Sequence, residues 1–256
     1  HAADDADLTA PVIVLIHGLG LSRHMWRDHL PALTRSHTVL SYDLYGHGDS
    51  APPSGVASLG VYATQIRILM DHLGIGRAAV VGFSIGGMIN RRFALDHPER
   101  LAALAILNSP HDRGDEGQKL VEERAAKVRE KGAFSTFDEA LARWFTPAFR
   151  ENAPDVMALV RDWRGQVDPE SYAQAAWVLA NGVRELIRPD PPITAPTLVM
   201  TCENDSGSTP AMSHAIASET DGAQTIIVPR LQHLGLMEDP DAFTTPILDS
   251  LERTPQ

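Results

Sequence analysis

Cysteine is almost missing from this chain, with Cys202 the only one in 256 residues. No internal disulfide can form, and such usage fits a reducing compartment, so a cytoplasmic location is expected. Basic residues are also scarce: 22 Lys and Arg against 33 Asp and Glu leave a formal net charge of −11. Binding nucleic acid takes a basic face that neutralises phosphates, and none is visible, so that partner is excluded. The same charge keeps the chain away from anionic membranes. Long apolar runs are absent, since Val12–Ile16 and Leu101–Leu107 fall far short of the roughly 20 residues that span a bilayer. The first residues are polar and acidic, so no secretory leader is expected. Eleven histidines are present but no H-E-x-x-H, and His24 and His29, five apart, would face away from each other on a helix. The expectation is a small-molecule partner with no metal and no other cofactor. The oligomeric state is left open.

What is present has the composition of an ordinary globular protein, 43% hydrophobic and 21% charged. The length suits one large α/β domain with an insertion. The stretch Val80-Val81-Gly82-Phe83-Ser84-Ile85-Gly86-Gly87 reads as an apolar strand entering G-x-S-x-G, and a helical pattern follows over 88–96. A bare G-x-S-x-G arises by chance. Between a strand and a helix it becomes a nucleophile elbow, a turn so tight that its flanks must be small. Gly82 and Gly86 meet that demand, and Ser84 would stand at the helix start with its hydroxyl above the sheet.

The rest of the chain tests this reading. Val12–Ile16 is a continuous β-branched run of the kind buried on both faces of a sheet, and it ends in His17-Gly18-Leu19-Gly20. A short amphipathic helix is predicted over 23–35, with Trp26, Leu30 and Leu33 inward. Strand Thr38–Tyr42 then leads into Asp43-Leu44-Tyr45-Gly46-His47-Gly48-Asp49-Ser50. Ser58 would cap a helix through Leu73, with Leu59, Tyr62, Ile66, Leu69, Met70 and Leu73 on one face. The strand of the elbow, its helix and strand Leu101–Leu107 follow. This alternation argues for a parallel sheet covered by helices on both faces. Over 110–192 only helical patterns occur, with start signals at Thr136 and Glu139 (a capping box), at Asn152 before Pro154, and at Asp168-Pro169. Strands resume at 197–201 and 225–228, with helices at 210–219 and 241–251. The expected organisation is a core of residues 1–109 and 193–256 with a helical cap of 110–192 over the sheet's carboxyl edge.

A serine hydroxyl needs a base to take its proton, usually a histidine held in the right tautomer by a carboxylate. On a sheet of this type the partners follow the serine in the order acid, then histidine, each just after a strand. Asp205 follows the 197–201 strand and His233 follows the 225–228 strand. An oxyanion needs two backbone N–H donors, and these are assigned to Ile85, next after the nucleophile, and to Leu19, where Gly18 allows close approach.

Taken together, His17-Gly18-Leu19-Gly20, residues 43–50, the G-x-S-x-G stretch, Asp205 before Pro210 and His233 before Glu238 resemble the α/β-hydrolase superfamily. The segment Leu141-Ala142-Arg143-Trp144-Phe145-Thr146-Pro147, with Glu123, Arg124 and Val128-Arg129 before it, is similar to 3-oxoadipate enol-lactonases. In that family the cap tryptophan faces the substrate, which the resemblance carries over to Trp144. Arg143 is a candidate to pair with a substrate carboxylate, weighed against a solvated or ion-paired surface arginine. The resemblance implies a cofactor-free hydrolase of a small ester or lactone, with an enol-lactone first. General carboxylesterases, carbon–carbon bond hydrolases and perhydrolases share nearly the same parts, and a ligand receptor that keeps the triad is the alternative outside enzymes. Two departures stand out. Such hydrolases usually open with a β-hairpin where this chain has a short acidic tail, expected to be mobile, and they often have glycine at position 202.

Other readings compete at single positions. Gly18-x-Gly20 after a strand, with Asp43 ending the next one, imitates a dinucleotide site, but position 23 is Arg where a glycine is needed. Asp43 is then expected to brace the turn at 46–50. Asp112 is a rival acid. His17 and His47 read as structural, satisfied by loop backbone, and His111 as either pocket-lining or surface. Cys202 reads as a small buried residue rather than a reactive thiol.

Overall fold

The computed structural model describes residues 10–253. The tail expected to be mobile lies, up to residue 9, outside the described residues. In chain order the elements begin with β1 (Val12–Ile16), the one-turn α1 (Leu30–Leu33), β2 (Thr38–Tyr42) and α2 (Leu59–His72). Next come β3 (Ala78–Phe83), α3 (Ile85–Asp96) and β4 (Leu101–Leu107). After a helical stretch, β5 (Thr197–Cys202), α9 (Pro210–Ser218), β6 (Gln224–Val228), α10 (Gly235–Glu238) and α11 (Asp241–Glu252) complete the fold. The helical stretch holds α4 (Gly114–Lys131), α5 (Phe137–Trp144), α6 (Pro147–Asn152), α7 (Pro154–Gly165) and α8 (Pro169–Asn181).

The six strands lie in the order β2-β1-β3-β4-β5-β6, and every pairing among the described residues is parallel. This is the α/β-hydrolase fold expected from the sequence. The chain steps from β1 outward to β2, then crosses back to β3 and runs the other way. That reversal opens a crevice at the carboxyl ends of β1 and β3, where open α/β sheets bind ligands. The continuous apolar runs have the predicted cause. Val12, Val14 and Ile16 join one core cluster with α2 and α3 residues such as Tyr62 and Met88. Ile13 and Leu15 join a second cluster on the opposite face, with Trp26, Leu236 and Phe243. Each fully buried aliphatic side chain there contributes about 1.5–3 kcal/mol relative to exposure, so the register of the central strands is strongly held. Among the described residues no helix is long and apolar enough to cross a membrane.

Several local expectations need correction. The helix expected over 23–35 is a 3-10 turn, Arg23–Trp26, followed by the single turn of α1. Pro31 explains the break, because it lacks the N–H that a continuous helix would require there. Trp26 and Leu33 are nonetheless buried as expected. On α2, Leu59, Tyr62, Ile66 and Met70 face the core, but Leu73 is an exposed C-cap. The Thr136–Glu139 capping box does not form. A 3-10 turn, Ala133–Thr136, feeds straight into α5, and the Glu139 carboxylate pairs with Lys127. Asn152 does not cap α7; it is the last residue of α6, and its amide bonds one turn back to Ala148 O. Ser58 and Asp168 do cap, accepting from Val61 N and Ser171 N.

Candidate active site

The Val80–Gly87 stretch folds as a strained elbow. Ser84 has φ 57° and ψ −116°, left-handed backbone that costs a non-glycine residue of the order of 1–3 kcal/mol and persists only where the surroundings enforce it. The enforcement is visible. Ser84 N–H donates to Leu107 O at 2.8 Å. A Cβ on Gly82 would fall 2.1 Å from Gly86 O, and one on Gly86 2.7 Å from Ile16 O. Only hydrogen fits at either position, so the turn can bring the start of α3 onto the end of β1.

His233 stands in the loop between β6 and α10, its Nε2 3.1 Å from Ser84 Oγ and its Nδ1 2.6 Å from Asp205 Oδ2. Asp205, in the turn after β5, is buried at 2% exposure. Its Oδ1 accepts from Gly207 N and Ser208 N, each at 2.9 Å. Its Oδ2 also accepts from Asn108 Nδ2 at 3.0 Å. Burial pushes this carboxyl up, but the His233 ring and the Asn108 and Ser208 donors outweigh burial and hold it below its usual range. The three side chains named from the sequence thus meet in one chain of hydrogen bonds. The rival, Asp112, is exposed, with Oδ1 accepting from Gly114 N at 2.9 Å.

Leu19 borders the same space and Ile85 opens α3 directly after Ser84, and neither N–H donates to another described residue. Two histidines shape the loop that carries Leu19. His17 Nε2 accepts from Leu44 N at 2.9 Å while its Nδ1–H donates to Gly18 O at 2.8 Å. His47 Nε2 accepts from Gly20 N at 3.1 Å and its Nδ1–H donates to Tyr45 O. Both rings must be neutral to accept. Burial drives His17 down to about 4 and, with His17 as neighbour, His47 down to about 3. Asp43 braces the adjoining turn as expected: it accepts from Arg23 N at 2.7 Å and pairs with the Arg23 guanidinium, and its own carbonyl holds Ser50 Oγ–H.

A cavity of about 460 Å³ lies between these loops and the helical stretch. Ser84, His233 and Leu19 border it on the core side, and Arg143 and Trp144 of α5 on the other. The Trp144 and His233 rings are 6.4 Å apart, and Phe83 lies 5.0 Å from His233. Arg143 is half-buried, and its guanidinium makes no hydrogen bond or ion pair to a described residue. Burial and the nearby Arg124 lower its pKa. His111 is neither pocket-lining nor surface, the two expectations made for it. It is buried, with Nε2 3.1 Å from Glu219. Cys202 is buried, and burial pushes its thiol up to about 12, far from thiolate chemistry.

Sequence reasoning missed three groups at this site. Asn108, at φ 47°, follows β4 and braces Asp205. Its signal was a polar turn-former directly after an apolar strand at the carboxyl edge. Arg164 of α7 is buried and stacked 5.0 Å from the rings of Phe137, Trp144 and Tyr172. Tyr172 also lines the cavity. On an amphipathic helix neither residue differs in pattern from an ordinary core or surface position.

Residues 11–240 match the family model described as alpha/beta hydrolase fold, and the chain belongs to that family. Its relatives carry several activities. It is 29% identical to 3-oxoadipate enol-lactonase 2 of Acinetobacter baylyi, over 91% of this chain and 85% of that one. It is 25% identical to the (E)-2-((N-methylformamido)methylene)succinate hydrolase of the same organism, over 95% and 91% of the two chains. Among solved structures, the enol-lactonase of Burkholderia xenovorans LB400 superposes with a TM-score of 0.86 at 31% identity, covering 95% of this chain and 92% of that one.

Proposed function

We propose that this chain is a serine hydrolase that opens a small lactone or ester bearing a carboxylate, with an enol-lactone the first candidate. The observation that carries the reading is the relay from Asp205 through His233 to a serine held on a strained elbow. Ser84 attacks the acyl carbonyl as His233 Nε2 takes its proton, and the N–H groups of Leu19 and Ile85 receive the developing oxyanion. His233 returns the proton to the leaving oxygen. In a lactone that oxygen stays tethered to the acyl group. Water, deprotonated in turn by His233, then releases the acid and restores Ser84.

Two features support the choice of substrate. Arg143 and Arg124 border the cavity with no described acid bonded to either, so an entering carboxylate would relieve their mutual repulsion. The relatives that cover most of the chain include proteins named for hydrolysis of an enol-lactone and of a succinate derivative. Trp144, over His233, is assigned to the roof of the acyl pocket, and the helices of 110–192 to a cap.

The test is covalent labelling by a fluorophosphonate probe, then turnover of a panel of lactones and short-chain esters by the native chain and Ser84→Ala. The expected result is a label on Ser84 and lactone hydrolysis that Ser84→Ala lowers by roughly 10⁴-fold or more. An unlabelled Ser84 removes the hydrolase reading. Turnover of esters without lactones removes the lactone assignment.

A further inference from the structure

Three consecutive residues at the end of α5 are fastened to the segment that carries the catalytic histidine. The carbonyl of Trp144 accepts Leu234 N–H at 2.8 Å, directly after His233 in the chain. Phe145 is fully buried in the same core cluster as Leu234 and Leu236. Thr146 donates its N–H to Glu238 Oε1 at 2.8 Å and its hydroxyl to Glu238 Oε2 at 2.7 Å, across 92 residues of sequence. The same hydroxyl accepts Phe149 N–H and so starts α6. Both oxygens of Glu238 are thus spent on one residue of the helical stretch, and α10 is only four residues long. Such a short helix cannot hold its own orientation through internal bonds alone. The loop bearing His233 is held before the histidine by Asn204 N–H on Leu231 O and at the ring by Asp205. After the histidine it is held by Trp144 O on Leu234 N–H and by buried Leu234 and Leu236, while Glu238 on Thr146 is the side-chain grip at the far end of α10.

We propose that Glu238 is a positioning residue: its two-pronged grip on Thr146 fixes the His233 imidazole against Ser84 and, in the same act, sets Trp144 over it. This rests on the reading of His233 as the base. A displacement of about 1 Å in a proton-relaying group costs up to roughly 100-fold in rate, so a clamp outside the reacting atoms has leverage on turnover. It also ties the roof of the cavity to the base, so that the two cannot drift apart independently.

The experiment compares E238A, E238Q, T146V and the double variant T146V/E238A, using the full chain. It reads kcat and KM on the preferred substrate, the rate of fluorophosphonate labelling, and hydrogen exchange at the Thr146 and Leu234 amides. In E238A, kcat and the labelling rate fall together by roughly 10- to 100-fold, and both amides exchange faster. E238Q keeps an acceptor for Thr146 N–H and restores most of the rate. T146V, which retains that N–H and leaves the Glu238 carboxylate in place, shows an intermediate loss. The double variant is no slower than E238A, because the pair acts as one unit. Native rates in E238A with faster amide exchange would reduce the clamp to a structural bond and overturn the proposal, as would unchanged exchange. The two ideas fail separately. A native chain that takes no label removes the hydrolase reading, whereas amide exchange in E238A still judges the clamp.

Discussion

Lowering the pH from 7 to 5 is expected to remove about 6 kcal/mol of this protein's stability through three histidines. His17, His29 and His47 are each at most 1% exposed. Burial brings His17 and His29 down to about 4. His47 falls to about 3, again chiefly by burial. In the unfolded chain each returns to about 6.5. A histidine with a depressed folded pKa contributes stability above its unfolded value and loses it as pH falls toward the folded one, because the unfolded state binds the proton first. The window therefore runs from pH 6.5 down to about 4 for His17 and His29 and to about 3 for His47. At pH 5 each residue disfavours the fold by about 2 kcal/mol and all three by about 6 kcal/mol, on the scale of 1.36 kcal/mol per pKa unit. That compares with a total of about 5–15 kcal/mol for ordinary domains. Urea unfolding across this range should show nearly three protons taken up on unfolding near pH 5. A His47→Gln variant, whose amide oxygen can still accept Gly20 N–H, should lower that uptake by about one proton and the slope by about 1.4 kcal/mol per pH unit. A change of less than about 1 kcal/mol between pH 7 and 5 would refute the assignment of these three rings as neutral in the fold.

Three further perturbations follow from the geometry. Gly82→Ala places a methyl 2.1 Å from Gly86 O; overpacking against backbone should cost at least the upper end of about 1–3 kcal/mol, read as a lower urea midpoint or lost soluble yield. Asn108→Ala removes a donor that holds the Asp205 carboxyl low, so the pH at which acid shuts off kcat/KM should rise, and an unmoved acid limb would count against Asn108 as a brace. Arg143→Gln should raise KM for carboxylate-bearing lactones by about 10- to 100-fold, the value of one charge-assisted hydrogen bond. Neutral esters should be unaffected, and equal losses on both classes would assign Arg143 to the architecture.

The relay was readable from sequence because each member sits where two constraints coincide. Ser84 and Asp205 each follow a fully buried strand, His233 follows the partly buried edge strand β6, and each is also a residue type the chemistry requires. His17 and His47 were readable in another way, as structural residues in loops that their glycine neighbours marked. The failures are local as well: the helix expected over 23–35 is broken at Pro31, Thr136 ends a 3-10 lead-in instead of capping, and Asn152 bonds one turn back to Ala148 O. Arg164 was unreadable for a different reason. Its partners are rings on α5 and α8 brought together only by packing, and no spacing along one helix records that.

The arrangement also makes the site more fragile than the sheet beneath it. Ser84 is held in a costly conformation by Leu107 O, by the contact of Gly86 with Ile16 and by the loop after β1. That loop is held by two imidazole nitrogens acting as acceptors, from Leu44 N and Gly20 N. An acceptor lost to a proton leaves a buried N–H facing a cation, which costs more than a missing bond. The central strands carry no such dependence, since their cohesion is apolar on both faces. As acid reaches His17 and His47, the loop carrying Leu19 should therefore loosen before β1 and β3 separate, and the place given to the oxyanion is lost first. His29 works through Thr244 of α11, remote from that loop in the sequence. Its protonation should lower global stability without an equal effect on the site. This separates the two consequences of acid: loss of the loop belongs to the His17 and His47 pair, and loss of the fold to all three.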